Sequence, residues 1–343
     1  MTDSPIADIG DLVLSSGGVL RDVQVAYRTL GRLSPDCSNA ILVLHGYTSS
    51  QDMILPSSEA AEGAWDGLVG PGKAIDTERY YMICPNVLGS CHGTTGAGSV
   101  DPASGRPYGS RWPGVTASDM AASQRALLST LGIERLVAVI GVSLGGMLAF
   151  QWAVDFPGFA LGIAPVLAAP KAPPVDPSAL RARLAQDPAW NFGDYHGKGD
   201  MSGTLTALRA PTLKQYGMEA VLARTLPDPE QREAALQDAA QRWAAQFDAN
   251  AMVSILEAIA SFDVTARLNS IRARLLYVLS RTDSMFPPSL APDVMALLKQ
   301  AGVNAQYFEI DSDAGHFASG ADAELWAPTL AAWLNDLQGV IGP

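Results

Sequence analysis

The sequence predicts an α/β fold: a mostly parallel sheet flanked by helices and interrupted by a helical insertion. Three observations carry this. Short apolar runs such as AILVLH and LVAVI suit strands buried on both faces. They alternate with helical stretches, and that alternation implies parallel strands joined by crossover helices. Between residues 171 and 265 the strands stop and a helix-favouring composition takes over.

In chain order, VLRDVQVAYR at 19–28 alternates roughly and reads as a strand. AILVLH at 40–45 and YYMIC at 80–84 are continuous apolar runs and read as buried strands. Met120, Ala121, Ala126, Leu127, Leu128 and Leu131 form a helical stripe over 117–131. LVAVI at 136–140 is a strand, 146–156 a helix, and FALGIAPVLA at 159–168 the next strand. Proline-rich KAPPVDPSAL then punctuates the chain. EQREAALQDAAQRWAAQF is the clearest helix of the segment that follows. RARLLYVLS at 272–280 and AQYFEI at 305–310 return to strand, and AELWAPTLAAWLNDL closes as an amphipathic helix. The expected division is a core over 1–170, a helical lid over 171–265, and the rest of the core over 266–343.

Composition narrows the function. The net charge of −12 disfavours a nucleic-acid or polyanion binder. No window of eighteen apolar residues predicts a membrane span. The N-terminus lacks a basic segment followed by an apolar one, so no secretory signal is expected. Cys37, Cys84 and Cys91 form no CxxC pair, which fits reduced thiols in the cytoplasm. The four histidines show neither HxxxH nor HxH spacing, so no metal site is expected.

Gly141-Val142-Ser143-Leu144-Gly145 matches G-x-S-x-G, with a strand before it and a helix after it. That context is the nucleophile elbow, where serine occupies a strained strand-to-helix turn and small neighbours let backbones approach. Such a serine needs a base, and the base needs an orienting acid. In this fold type the order is Ser, Asp or Glu, then His. Two histidines follow Ser143. His196 falls in the insertion, whereas His316 follows strand AQYFEI, where a loop at the carboxyl edge of the sheet would carry the base. Asp283 follows strand RLLYVLS and is placed to receive the far ring nitrogen of His316. Asp311 and Asp313 lie too near His316 in sequence to come from a separate strand and read as solvated loop carboxylates. The oxyanion donors are expected from the backbone N–H groups of Leu144 and Tyr47, and His45 reads as a structural histidine at a strand end.

Longer stretches extend this. WDGLVGPGKAIDT, CPNVLGSCHGTTGAGSVDPASGRPYG, GVSLGGM and SRTDSMFPP resemble homoserine O-acetyltransferases and their relatives in the α/β-hydrolase superfamily. The resemblance implies the α/β-hydrolase fold and a Ser143–His316–Asp283 triad. It implies a helical lid that narrows the access tunnel and makes a homodimer. It implies no cofactor, with acetyl-CoA as co-substrate in a transferase. LRAPTLKQY supplies Arg209 and Tyr216 at the spacing of the lid residues that contact the amino-acid acceptor.

Two departures bear on the reaction. The transferases usually read GHDAFL around the catalytic histidine, and that aspartate helps bind the acceptor's ammonium group. Here the sequence is GHFASG, with Phe317 in that place and Asp322 as a nearby carboxylate. The elbow reads GVSLGGM where the transferases typically show GGSMGGM. These changes look like those of family members that hydrolyse esters. The expectation is a serine enzyme acting on a small-molecule, short-chain acyl ester by hydrolysis. A homoserine O-acetyltransferase is the alternative, and a non-catalytic binding protein on the same fold a remote one.

Overall fold

The computed structural model describes residues 4–56 and 64–339. Eight strands form the central sheet: β1 Ile6–Asp8, β2 Gln24–Leu30, β3 Ala40–Leu44, β4 Tyr81–Pro85, β5 Leu136–Val142, β6 Ala160–Val166, β7 Arg274–Ser280 and β8 Ala305–Ile310. Their spatial order is β1-β2-β4-β3-β5-β6-β7-β8. β1 and β2 run antiparallel to their neighbours, and every pairing from β4 to β8 is parallel.

Period-2 alternation distributes each strand between two cores. In β3, Leu42 and Leu44 enter the core on one face, and Ile41 and Val43 enter the core on the other. The first core is covered by α1 Ala117–Thr130, α2 Leu144–Asp155 and part of the insertion. α1 starts at a capping box in which Thr116 and Asp119 satisfy each other's backbone N–H, worth about 1 kcal/mol.

No strand of the central sheet lies between β6 and β7. That stretch holds α3 Pro177–Leu184, α4 Ser202–Gln215, α5 Met218–Ala223, α6 Pro229–Ala244 and α7 Ala249–Ala260. Asp176, Asp228 and Asp248 cap α3, α6 and α7, and proline follows the first two at the position where its missing N–H does no harm. The insertion has its own small core of Leu184, Trp190, Tyr195, Leu205, Phe247 and Val253. α7 ties it to the sheet, because Ile255 and Ile259 belong to the first core.

Two details differ from the sequence reading. The expected strand at 19–28 is broken: Val19–Leu20 pairs with Leu12–Val13, Asp22 takes a φ of 50°, and β2 begins at Gln24. The helix α8 Ala291–Gln300 was not anticipated; it joins β7 to β8 and buries Val294 and Leu298 on the first core. The second core is closed by α9 Ala318–Ala321 and α10 Ala327–Gln338, which contributes Leu330, Trp333, Leu334 and Leu337. Residues 1–3 and 340–343, the outer ends of the expected core segments, lie outside the described residues.

Candidate active site

Parallel strands end on one edge of a sheet, and such an edge collects ligand-binding loops. β5 delivers Ser143 there, one residue past its end. Ser143 holds φ 58° and ψ −119°, a strained conformation for a residue with a side chain, costing about 1–3 kcal/mol. The surroundings enforce it. A Cβ at Gly141 would lie 2.2 Å from the Gly145 carbonyl oxygen, and one at Gly145 would lie 2.0 Å from that of Leu44. Only glycine lets α2 start so close to β3 and β5. Ser143 is nearly buried and its N–H donates to the Val166 carbonyl at 2.9 Å.

Asp283 and His316 sit past the ends of β7 and β8 on the same edge. The imidazole Nδ1 lies 2.8 Å from Asp283 Oδ2, and both side chains are buried. An Nδ1–H donated to Asp283 leaves Nε2 with the lone pair, the form a general base requires. Asp283 is itself fixed, its Oδ1 accepting from the Met285 N–H at 2.8 Å. The loops of the two residues are cross-linked by Thr282, whose hydroxyl donates to Ser312 O and accepts from Gly315 N–H. Phe286 stacks on the His316 ring at 5.9 Å.

The insertion reaches this centre. The His316 N–H donates to the Tyr216 carbonyl at 2.8 Å, and the two rings lie 4.8 Å apart. The approach is backbone on backbone, since a Cβ at Gly217 or Gly315 would meet an opposing carbonyl oxygen at 2.7 Å. Arg209 is buried on α4, donates to Thr48 Oγ1 at 2.9 Å, and lies 5.0 Å from the Trp243 ring and 5.7 Å from the Tyr216 ring. Arg209, Tyr216 and His316 are therefore brought together. Thr48 and Trp243 complete this cluster, with the indole N–H donating to Thr48 O at 3.0 Å. The position of Trp243 in the sequence carries no signal for it.

Tyr47 lies three residues beyond β3, and Leu144 opens α2. The close contact of Gly145 with Leu44 brings these two stretches side by side. The amide of Leu144, at the first helical position, has no partner within its own helix. The Tyr47 hydroxyl donates to the Met252 carbonyl on α7 at 2.7 Å, which anchors the loop. His45 is fully buried, with Nδ1 at 2.8 Å from the Gly46 carbonyl and Nε2 accepting from the Val87 N–H at 3.2 Å. Desolvation pushes its pKa down to about 4, so it is a neutral structural group.

The remaining carboxylates are committed elsewhere. Asp311 and Asp313 are exposed and face Arg281. Asp322 forms a bidentate pair with Arg224 at 2.6 and 2.8 Å and accepts from the Ser312 hydroxyl. The Arg224 hydrogen bonds hold its carboxyl below the usual range. Phe317 is buried and meets the Tyr216 ring edge-on at 6.1 Å. His196 pairs with Asp248 inside the insertion. Among the described residues no group of three or more His, Cys, Asp or Glu could hold a metal ion, and no helix is long and apolar enough to cross a membrane.

Comparison with known proteins agrees with this architecture. Residues 39–321 match the α/β hydrolase fold family. A homoserine O-acetyltransferase of Symbiobacterium thermophilum is 36% identical over 354 aligned positions, covering 95% of this chain and 92% of that protein. The crystal structure of homoserine O-acetyltransferase from Bacillus anthracis superposes with a TM-score of 0.85 at 27% identity, covering 98% of each chain. The crystal structure of esterase E22 superposes equally well, with a TM-score of 0.85 at 26% identity over 97% of this chain and 100% of that one.

Proposed function

The chain belongs to the homoserine O-acetyltransferase-like family of α/β hydrolases, and from that premise we propose that it hydrolyses short-chain acyl esters through an acyl-enzyme on Ser143. The Ser143 hydroxyl attacks the ester carbonyl while His316 Nε2 takes its proton. Asp283 holds the ring's tautomer and stabilises the imidazolium. The negative charge on the tetrahedral oxygen falls between the backbone N–H groups of Tyr47 and Leu144, each worth about 3 kcal/mol of barrier. His316 returns the proton to the leaving alkoxide, and the alcohol departs. Water then attacks the acyl-serine with His316 as base, the acid leaves, and the serine hydroxyl is restored.

Phe317 carries the preference for water. The place that resembles the acceptor-binding carboxylate of the transferases holds a buried phenyl ring packed on Tyr216. The carboxylate downstream that could substitute, Asp322, is neutralised by Arg224. An ammonium group in such a site would lose water without gaining a counter-charge, a loss of several kcal/mol. Water needs no such partner.

A second reading, transfer of an acetyl group from acetyl-CoA to homoserine or a related alcohol, has its own support. Relatives 34% and 36% identical to this chain carry that name. Arg209 beside Tyr216 and His316 suits a substrate carboxylate. We propose that the insertion acts as a lid over the site and as the contact surface of a homodimer. The deciding assay incubates the protein with acetyl-CoA with and without L-homoserine, follows thiol release and identifies products by mass. Hydrolysis predicts rapid cleavage of p-nitrophenyl acetate and no O-acetylhomoserine. Homoserine-dependent thiol release with O-acetylhomoserine formed overturns that reading in favour of transfer. Ser143→Ala, folded and fully active, overturns both.

A further inference from the structure

A cleft of about 250 Å³ lies between the segment following β4 and the loop that leads into α4. Arg106 and Arg111 line it from the first segment, and Asp194, His196 and Lys198 from the second. A chain with a formal charge of −12 thus gathers three permanent cations and a histidine around one small space. We propose that this cleft is a binding site for a phosphate group.

The carboxylates around it are already engaged. Asp194 Oδ1 accepts from the Ser110 N–H at 2.9 Å. Asp248 accepts from the Tyr195 hydroxyl at 2.7 Å, from the Ala251 N–H at 2.7 Å and from His196 Nε2. Arg111 is held in place by Asp101, Ser104 and the Pro107 carbonyl. Arg106 and Lys198 are exposed, and neither closes a salt bridge among the described residues. Lys198 acts on Asp194 only through its charge. The lining side chains carry three cations against the single carboxylate of Asp194, and Asp101 offsets Arg111 from beside the cleft, so Arg106 and Lys198 leave an excess of positive charge. Guanidinium groups match the geometry of phosphate oxygens, and an ammonium adds a mobile point charge.

His196 gives the cleft a rigid wall. Its ring stacks on Tyr195 at 4.5 Å and is pinned by Asp248. Its other nitrogen, Nδ1, is buried without a hydrogen-bond partner among the described residues, an arrangement that costs free energy in the unliganded protein. The wall is also connected to the proposed reaction centre. Asp248 caps α7, and one turn further on the Met252 carbonyl receives the Tyr47 hydroxyl. Asp248 and Met252 are four residues apart, roughly 6 Å along the α7 axis, so the residue that pins the wall of the cleft and the one that braces the Tyr47 loop share one helical turn. The site stands whichever of water or an alcohol resolves the acyl-enzyme.

The phosphate could belong to a phosphorylated acyl donor or to a free anion that acts from outside the reaction. Calorimetric titration of the full chain with inorganic phosphate and with ADP tests the site. The expected result is saturable binding that the Arg106→Ala/Lys198→Ala variant weakens by roughly tenfold or more. The variant should cleave p-nitrophenyl acetate at the unaltered rate, which shows that it is folded. Acetyl-CoA separates the two sources. A donor site predicts that the variant raises the KM or Kd for acetyl-CoA about tenfold with little change in kcat. An effector site predicts phosphate binding that leaves acetyl-CoA affinity unaffected. No binding of phosphate or ADP up to about 10 mM, or equal binding by variant and native chain, overturns the proposal.

Discussion

Gly145→Ala should damage catalysis far more than a single methyl group ordinarily would. The new Cβ would stand 2.0 Å from the Leu44 carbonyl oxygen, 2.5 Å from its carbon and 2.9 Å from the His45 carbonyl oxygen. An ordinary contact needs roughly 3.4 Å, so the start of α2 and the end of β3 must separate by about 1.4 Å. All the opposing atoms are backbone, so no rotamer change can absorb the clash. The separation pulls the Tyr47 and Leu144 amides apart, and these are the proposed oxyanion donors. Loss of one donor costs about 3 kcal/mol, a fall of roughly 100-fold in kcat. Stability should fall by about 2–4 kcal/mol from overpacking. Gly203→Ala is the control. It lies in α4 with nothing within 4 Å of its Cβ and no positive φ, so it should stabilise by about 0.5–1 kcal/mol. Stopped-flow p-nitrophenyl acetate kinetics and thermal melts read both variants. A Gly145→Ala protein with native kcat and native Tm would falsify the packing argument for the elbow.

Asp283→Asn preserves shape but not the tautomer, and should lower kcat by about 10³–10⁴ with a small change in KM, read by steady-state kinetics. Arg224→Ala leaves Asp322 buried beneath the His316 loop. Because the Arg224 side chain is 40% exposed, the loss should be about 1–2 kcal/mol, less than for a fully buried pair, and a double-mutant cycle with Asp322→Asn measures it. The folded carboxyl of Asp322 lies below its ordinary value, so its stabilising contribution is complete above that ordinary value. It is lost as pH falls through the folded value, a loss that should vanish in Arg224→Ala. His45 has a folded pKa of about 4 against an ordinary 6.5, so the unfolded chain binds the extra proton between those values. Stability should be complete above about pH 6.5 and decline toward pH 4 by as much as ~3 kcal/mol. His45→Gln should show a shallower decline in denaturant titrations across that window, and an identical slope counts against a neutral buried His45.

Much of this molecule was legible in its residues. Buried parallel strands announce themselves as short apolar runs, and β3, β4, β5, β6 and β7 fall where those runs lie, while β8, at AQYFEI, is the partly exposed edge strand. The elbow was legible because Gly141 and Gly145 are demanded by contacts local to a strand–turn–helix unit. Asp283 and His316 were legible through topology, since each follows a parallel strand that must end on the same edge as β5. The break at Asp22 was not, because alternation over 19–28 continues across a turn that reverses the strand's partner.

What the sequence alone determined was placement set by local pattern and strand order: the strained serine at 143, the carboxylate and histidine that each follow a parallel strand, and the apolar residue at 317. Tertiary structure decided what long-range contacts decide. It committed Asp322 to Arg224, 98 residues away in sequence, and so removed it as a counter-charge for an acceptor. It set Arg209 against Thr48, 161 residues away, and Trp243 over the same guanidinium. It gathered Arg106, Arg111 and Lys198 into one cleft. A charged side chain's role depends on which partner lies within a few ångströms, because electrostatic interaction weakens with distance and solvent. Which residues become neighbours across a hundred positions is settled only when the sheet and the insertion close on each other.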